Sequence, residues 1–164
     1  MTVDSQQSAE WILEIGICLE FGMLGFGSYL CTMLDYPTKI LLAFGETISG
    51  NDKIFQWLLK NGYPELAALS RAITGSEEAF NWLMKNGYPH FAALDHAIDN
   101  KLQAREWLVR NHYELLVLFA DACNERPEAV KWFRDHDLTI FLILAQKIIA
   151  FRNNQTYDYH KMHF

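Results

Sequence analysis

Two consecutive stretches of this chain are nearly the same sentence. Residues 51–75 read NDKIFQWLLKNGYPELAALSRAITG and residues 76–100 read SEEAFNWLMKNGYPHFAALDHAIDN, so Trp57, Asn61, Gly62, Tyr63 and Pro64 return as Trp82, Asn86, Gly87, Tyr88 and Pro89. The same 25-residue step lands again on Trp107, Asn111 and Tyr113, and then on Trp132. A unit this short cannot bury its own apolar side, so tandem copies are stable only when stacked on one another. That constraint narrows the fold further than any single motif in the chain.

Each copy parses into two short helices. The first begins after Asn51 or Ser76, both good helix caps, with Asp52 or Glu77 and Glu78 in the opening turn where a carboxylate complements the helix dipole. Gly62 and Gly87 supply the left-handed residue that ends it, and Pro64 and Pro89 preset the start of the second helix. In the third copy His112 and Glu114 take these two places, and histidine tolerates positive φ better than most side chains. In the second helix Leu66, Leu69 and Ile73 recur as Phe91, Leu94 and Ile98, as Leu116, Phe119 and Cys123, and as Phe141, Leu144 and Ile148. In the first helix Ala79, Trp82, Leu83 and Asn86 fall at i, i+3, i+4 and i+7, one helical stripe. The stripe places Trp57, Trp82, Trp107 and Trp132 in the core between repeats. The alternative use of such a ladder is a stacking platform for a ligand.

The expected architecture is all-α, a right-handed α-solenoid of short helix pairs forming one domain. Its copies are residues 51–75, 76–100, 101–125 and 126–150, preceded by a degenerate copy at 26–50 in which Thr47, Ile48, Ser49 and Gly50 match Ala72, Ile73, Thr74 and Gly75. Residues 1–25 are expected to form a hydrophobic capping helix and residues 151–164, FRNNQTYDYHKMHF, a tail. The run from Trp11 to Leu34 is apolar enough to raise a membrane span. Glu14 and Glu20 argue against it, each costing of order 2–3 kcal/mol near the middle of a bilayer, and no Lys or Arg flanks either end.

Set out this way, the pattern resembles ankyrin repeats lacking their β-hairpin. GSEEAFNWLMKNG is similar to the second ankyrin helix, opened and closed by glycines, and YPELAAL is similar to the ankyrin TPLHLAA. The first helix is longer here, and the period is shorter than the ankyrin repeat's 33 or so residues. The chain also resembles HEAT-type and leucine-rich-variant stacks. These resemblances cover residues 51–150 and imply a solenoid used for binding, without assigning any functional residue.

The net charge of −6, with both signs interspersed, is not the basic stripe that binding nucleic acid needs. Cys18, Cys31 and Cys123 form no CxxC pair and are odd in number, which fits a reducing cytoplasm and neither a disulfide framework nor a zinc site. Cys123, in an isoleucine column, reads as core filler. No HExxH, glycine-rich phosphate loop or GxSxG occurs, so no catalytic residue, metal or cofactor is expected. The amino terminus lacks the basic segment and cleavage site of a secretory signal.

What varies between otherwise similar copies is a set of polar positions on the second helix: Glu65, Arg71, His90, Asp95, His96 and Asp121. Arg71, His96 and Asp121 share one column and form the expected partner-contact row. The functional expectation is a non-catalytic protein-binding module whose partner, judged by the acidic balance, carries basic patches. The alternatives are a small enzyme or ligand-binding protein using Glu14, Glu20 and Asp35, and a homodimer formed through residues 11–34.

Overall fold

The computed structural model describes residues 33–159, apart from the side chains at 34 and 156–159. The expected capping helix, nearly all of the proposed dimer segment and the acids Glu14 and Glu20 lie outside the described residues. Among those described, the protein is all-helical with no strand. A 3-10 turn at Met33–Asp35 is followed by α1 (Thr38–Ile48), α2 (Asp52–Lys60), α3 (Pro64–Ile73), α4 (Glu77–Lys85), α5 (Pro89–Ile98), α6 (Leu102–Arg110), α7 (Glu114–Cys123), α8 (Pro127–Asp135) and α9 (Thr139–Tyr159). Helix α9 runs through the beginning of the segment expected to be a tail.

The helix ends show why this sequence breaks where it does. Asn51 Oδ1 accepts from the Ile54 N–H and Ser76 Oγ from the Ala79 N–H, both at 3.3 Å, which caps α2 and α4. At the other end the Tyr63, Tyr88, Tyr113 and Leu138 amides donate back to the carbonyls of Leu58, Leu83, Leu108 and Phe133 at 2.9–3.0 Å. This closure needs a left-handed residue, supplied by Gly62 (φ 85°), Gly87 (φ 87°), His112 (φ 61°) and Asp137 (φ 56°). Each corner has one further lock. The Asn61, Asn86 and Asn111 side-chain amides donate to the carbonyls of Trp57, Trp82 and Trp107 at 2.7–2.8 Å, and His136 takes the same place beside Trp132.

The helices sort into two rows. In the inner row α1 packs on α3, α3 on α5, α5 on α7 and α7 on α9, and α9 returns to pack on α1. Helices α2, α4, α6 and α8 each wedge against the two inner helices that flank them in the chain. Leu41, Leu66, Phe91, Leu116 and Phe141, with Phe44, Leu69, Leu94, Phe119 and Leu144, form the buried faces of the inner row. The outer row answers with Leu58, Leu83, Leu108 and Phe133, fully buried at 25-residue steps. Burying each such side chain contributes about 1.5–3 kcal/mol.

The tryptophans therefore do not form the core column that their spacing predicts. Trp57 and Trp82 are 43% and 36% exposed, and Trp107 and Trp132 are half-buried. Successive helical residues are about 100° apart around the axis, so burying Leu83 turns its neighbour Trp82 to the rim of the buried stripe.

The closing contact between α1 and α9 is tight. A Cβ at Gly45 would sit 2.8 Å from Leu144 Cδ2 and 3.0 Å from Lys147 Cδ. Lys147 Nζ donates to Glu46 Oε1 at 3.0 Å and to Ser49 Oγ at 3.1 Å. Leu144 is fully buried and Lys147 is tied down by these two bonds, so neither neighbour yields freely. Gly45→Ala should therefore lose about 1 kcal/mol in denaturant titration, crowding outweighing the gain in helix propensity. Gly45→Phe should lose about 1–3 kcal/mol or more by forcing α9 off α1.

Candidate functional site

The residues expected to form a contact row do lie in register, and each is engaged by the outer helix of its own hairpin. Arg71 holds its guanidinium 4.5 Å above the Phe55 ring and pairs with Asp52 at 2.6 Å. One repeat later His96 stacks on Phe80, with ring centroids 4.5 Å apart. One repeat later again Asp121 accepts from Arg105 Nε and Nη2 at 3.2 and 2.9 Å, and pairs with Arg126 at 3.3 Å. Phe55, Phe80 and Arg105 are themselves 25 residues apart, so one helix-to-helix contact is made three times with different chemistry: cation over ring, ring on ring, and ion pair. These side chains join the two helices of each hairpin.

The other three expected contact residues are buried. Glu65 accepts from the Tyr36 hydroxyl at 2.9 Å. His90 lies in an aromatic stack, its ring 5.1 Å from Tyr113 and 4.4 Å from Phe91. Asp95 is 9% exposed. Of the six positions read as variable surface, Arg71 alone is exposed, His96 is half-buried, and Glu65, His90, Asp95 and Asp121 are buried. The physical reason is the stacking of the inner row: α3, α5 and α7, which carry these residues, each pack between two inner neighbours and against the outer helices that flank them.

Among the described residues no three His, Cys, Asp or Glu side chains gather as a metal site. A cavity of about 240 Å³ lies between the ends of α7 and α9, lined by Cys123, Asn124, Glu125, Ile149, Arg152 and Asn153. It is smaller than the roughly 300–1,000 Å³ of small-molecule pockets. Arg152 donates into it, to the Cys123 carbonyl at 3.4 Å and to Asn124 Oδ1 at 3.2 Å. Cys123 is buried and its thiol pKa is pushed well above the ordinary value, so it is held in the unreactive form. Asp35 is exposed and stands apart from this cavity's lining. No helix among the described residues is long and apolar enough to cross a membrane.

What the sequence reading missed is on the outer row. Trp57, Leu59, Trp82, Leu102 and Val109 are large apolar side chains exposed on α2, α4 and α6. The indoles are held in place: Trp82 stacks on Tyr88 at 6.0 Å and 10°, and Trp107 on Tyr113 at 5.9 Å and 12°. A signal was present in the chain, because Lys60, Lys85 and Arg110 each follow a tryptophan by three residues. No family model, curated protein or solved structure matches this chain.

Two adjacent groups, Asp95 buried and His96 half-buried, give the fold opposed responses to pH. Burial, and then the nearby Asp99, raise the Asp95 pKa to about 7, Lys101 acting the other way; burial, and then Lys101, lower the His96 pKa to about 4. For Asp95 the folded value lies above the unfolded one. Its contribution is full below about pH 4 and is lost as pH rises through 7, on the order of 4 kcal/mol. For His96 the folded value lies below the unfolded one, so its contribution is full above about pH 6.5 and is lost as pH falls toward 4. The native protein should show a shallow stability profile between pH 4 and 7. In denaturant titrations across that range, Asp95→Asn should expose a rise in stability with pH, and His96→Gln a fall.

Proposed function

We propose that this chain is a non-catalytic protein-binding scaffold, a right-handed solenoid of 25-residue helix pairs that binds through its outer row. Support for the repeat architecture comes from outer helices that begin at residues 52, 77, 102 and 127 and from corners built the same way in each copy. The observation that carries the functional reading is the exposure of Trp57 and Trp82 on successive outer helices. Large aromatic side chains on rigid elements are what binding interfaces concentrate, because they cover much area at little conformational cost. Of the acids that the enzyme reading would use, Asp35 is exposed and apart from the cavity, and Glu14 and Glu20 lie outside the described residues.

The test is a comparison of captured proteins. Immobilised wild type and a Trp57→Glu/Trp82→Glu variant are exposed to lysate from the source cells. Trp57 and Trp82 are 43% and 36% exposed and Trp82 stacks on Tyr88, so the melting temperature should fall somewhat, and retained helicity is confirmed before capture is compared. The expected result is a set of specific proteins retained by wild type and lost by the variant. The same set on both would contradict the reading.

A further inference from the structure

Beside the exposed indoles stand cations, and we infer that this face takes an acidic, leucine-bearing segment of a partner protein, an assignment that rests on the protein-binding reading and refines it. Helices α2 and α4 both pack on α3 and present Trp57 and Trp82 from the same repeat position. Lys60 and Lys85 follow these indoles by three residues, on the same helical face, and Lys53 precedes Trp57 by one turn. All three lysines are exposed and make no ion pair among the described residues. Of the nearby acids, Asp52 is engaged by Arg71, while Glu77, at the matching position of α4, and Glu78, one turn before Trp82, are exposed.

A cation in the last turn of a helix complements the dipole wherever it occurs, which accounts for Lys60 and Lys85 but not for the uncovered indoles next to them. The net charge of −6 points toward a basic partner. Screening at physiological salt confines exposed charges to about 8 Å, so the lysines around the indoles determine what this face attracts. Carboxylates would meet the lysine ammonium groups while aliphatic side chains cover the indoles. Three lysines offset by Glu77 and Glu78 are few for a phosphate backbone, which needs many neutralising contacts.

The test uses the whole chain and fluorescence polarisation with three labelled probes: a short peptide of glutamate interspersed with leucine, its lysine–leucine counterpart, and oligothymidine. The glutamate–leucine peptide should bind best, weaken with added salt, and shift tryptophan emission. Lys60→Glu/Lys85→Glu should weaken it roughly tenfold or more, and Trp57→Ala/Trp82→Ala should remove the emission change. Equal or tighter binding of either other probe, no binding of the acidic peptide, or indifference to lysine reversal would overturn the assignment. If captured proteins still depend on Trp57 and Trp82 while the acidic peptide fails, the assignment falls and the protein-binding reading stands. Capture that ignores both indoles removes the reading itself.

Discussion

Among the described residues no helix before the last exceeds eleven residues, and the outer ones have nine. Helices of that length are about 15 Å long and too short to persist alone in water, so each exists by virtue of what it packs against. The rest of the structure answers this requirement. Corners made from a left-handed residue and a backward amide bond turn the chain within two or three residues. Every hairpin is thereby brought against the next, and leucine or phenylalanine is buried at the same place each time.

A row of such hairpins has the difficulty that its ends leave apolar surface uncovered. Here the inner row turns back on itself, so that α1 and α9 serve as each other's neighbour. Small side chains make this approach possible. Gly45, Ser70, Ala120 and Ala145 occupy one column of buried positions, and Asp95 is the exception among them. That exception explains the Asp95 half of the opposed pH responses, since burial of a carboxyl placed where the fold calls for a small side chain raises its pKa. The consequence for function is a division of labour. Inner helices are committed to one another, and variation free of packing constraint is left to the outer faces of α2, α4, α6 and α8.

The helical hairpins and their corners were legible in the chain because they rest on local chemistry: Asn51 and Ser76 as caps, Gly62 and Gly87 as terminators, and His112 as the tolerated substitute. The inner columns such as Leu66, Phe91, Leu116 and Phe141 were legible for the same reason, since a helical period written four times is hard to mistake. The tryptophan column misleads because a helical stripe is wider than the part of it that the core takes in. Leu83 and Trp82 are neighbours on the stripe, and tertiary packing decides which of them turns inward. The polar row misleads because variation between copies looks the same whether a position meets solvent or a partner inside the fold; Arg71 meets Phe55, His96 meets Phe80 and Asp121 meets Arg105. Closure itself leaves no periodic trace. Glu46 and Lys147 read as ordinary surface charges until the fold brings them to 3.0 Å across 101 residues of chain.

That pair offers the most direct test of the closed inner row. A zero-length carbodiimide reagent joins a carboxylate to an amine only when the two already touch, and both side chains are accessible enough to react. Treatment of dilute protein followed by peptide mass spectrometry should yield an amide between Glu46 and Lys147 within one chain. Abundant cross-links elsewhere with none between these two, or this link found only between separate chains, would contradict the closure on which the account rests.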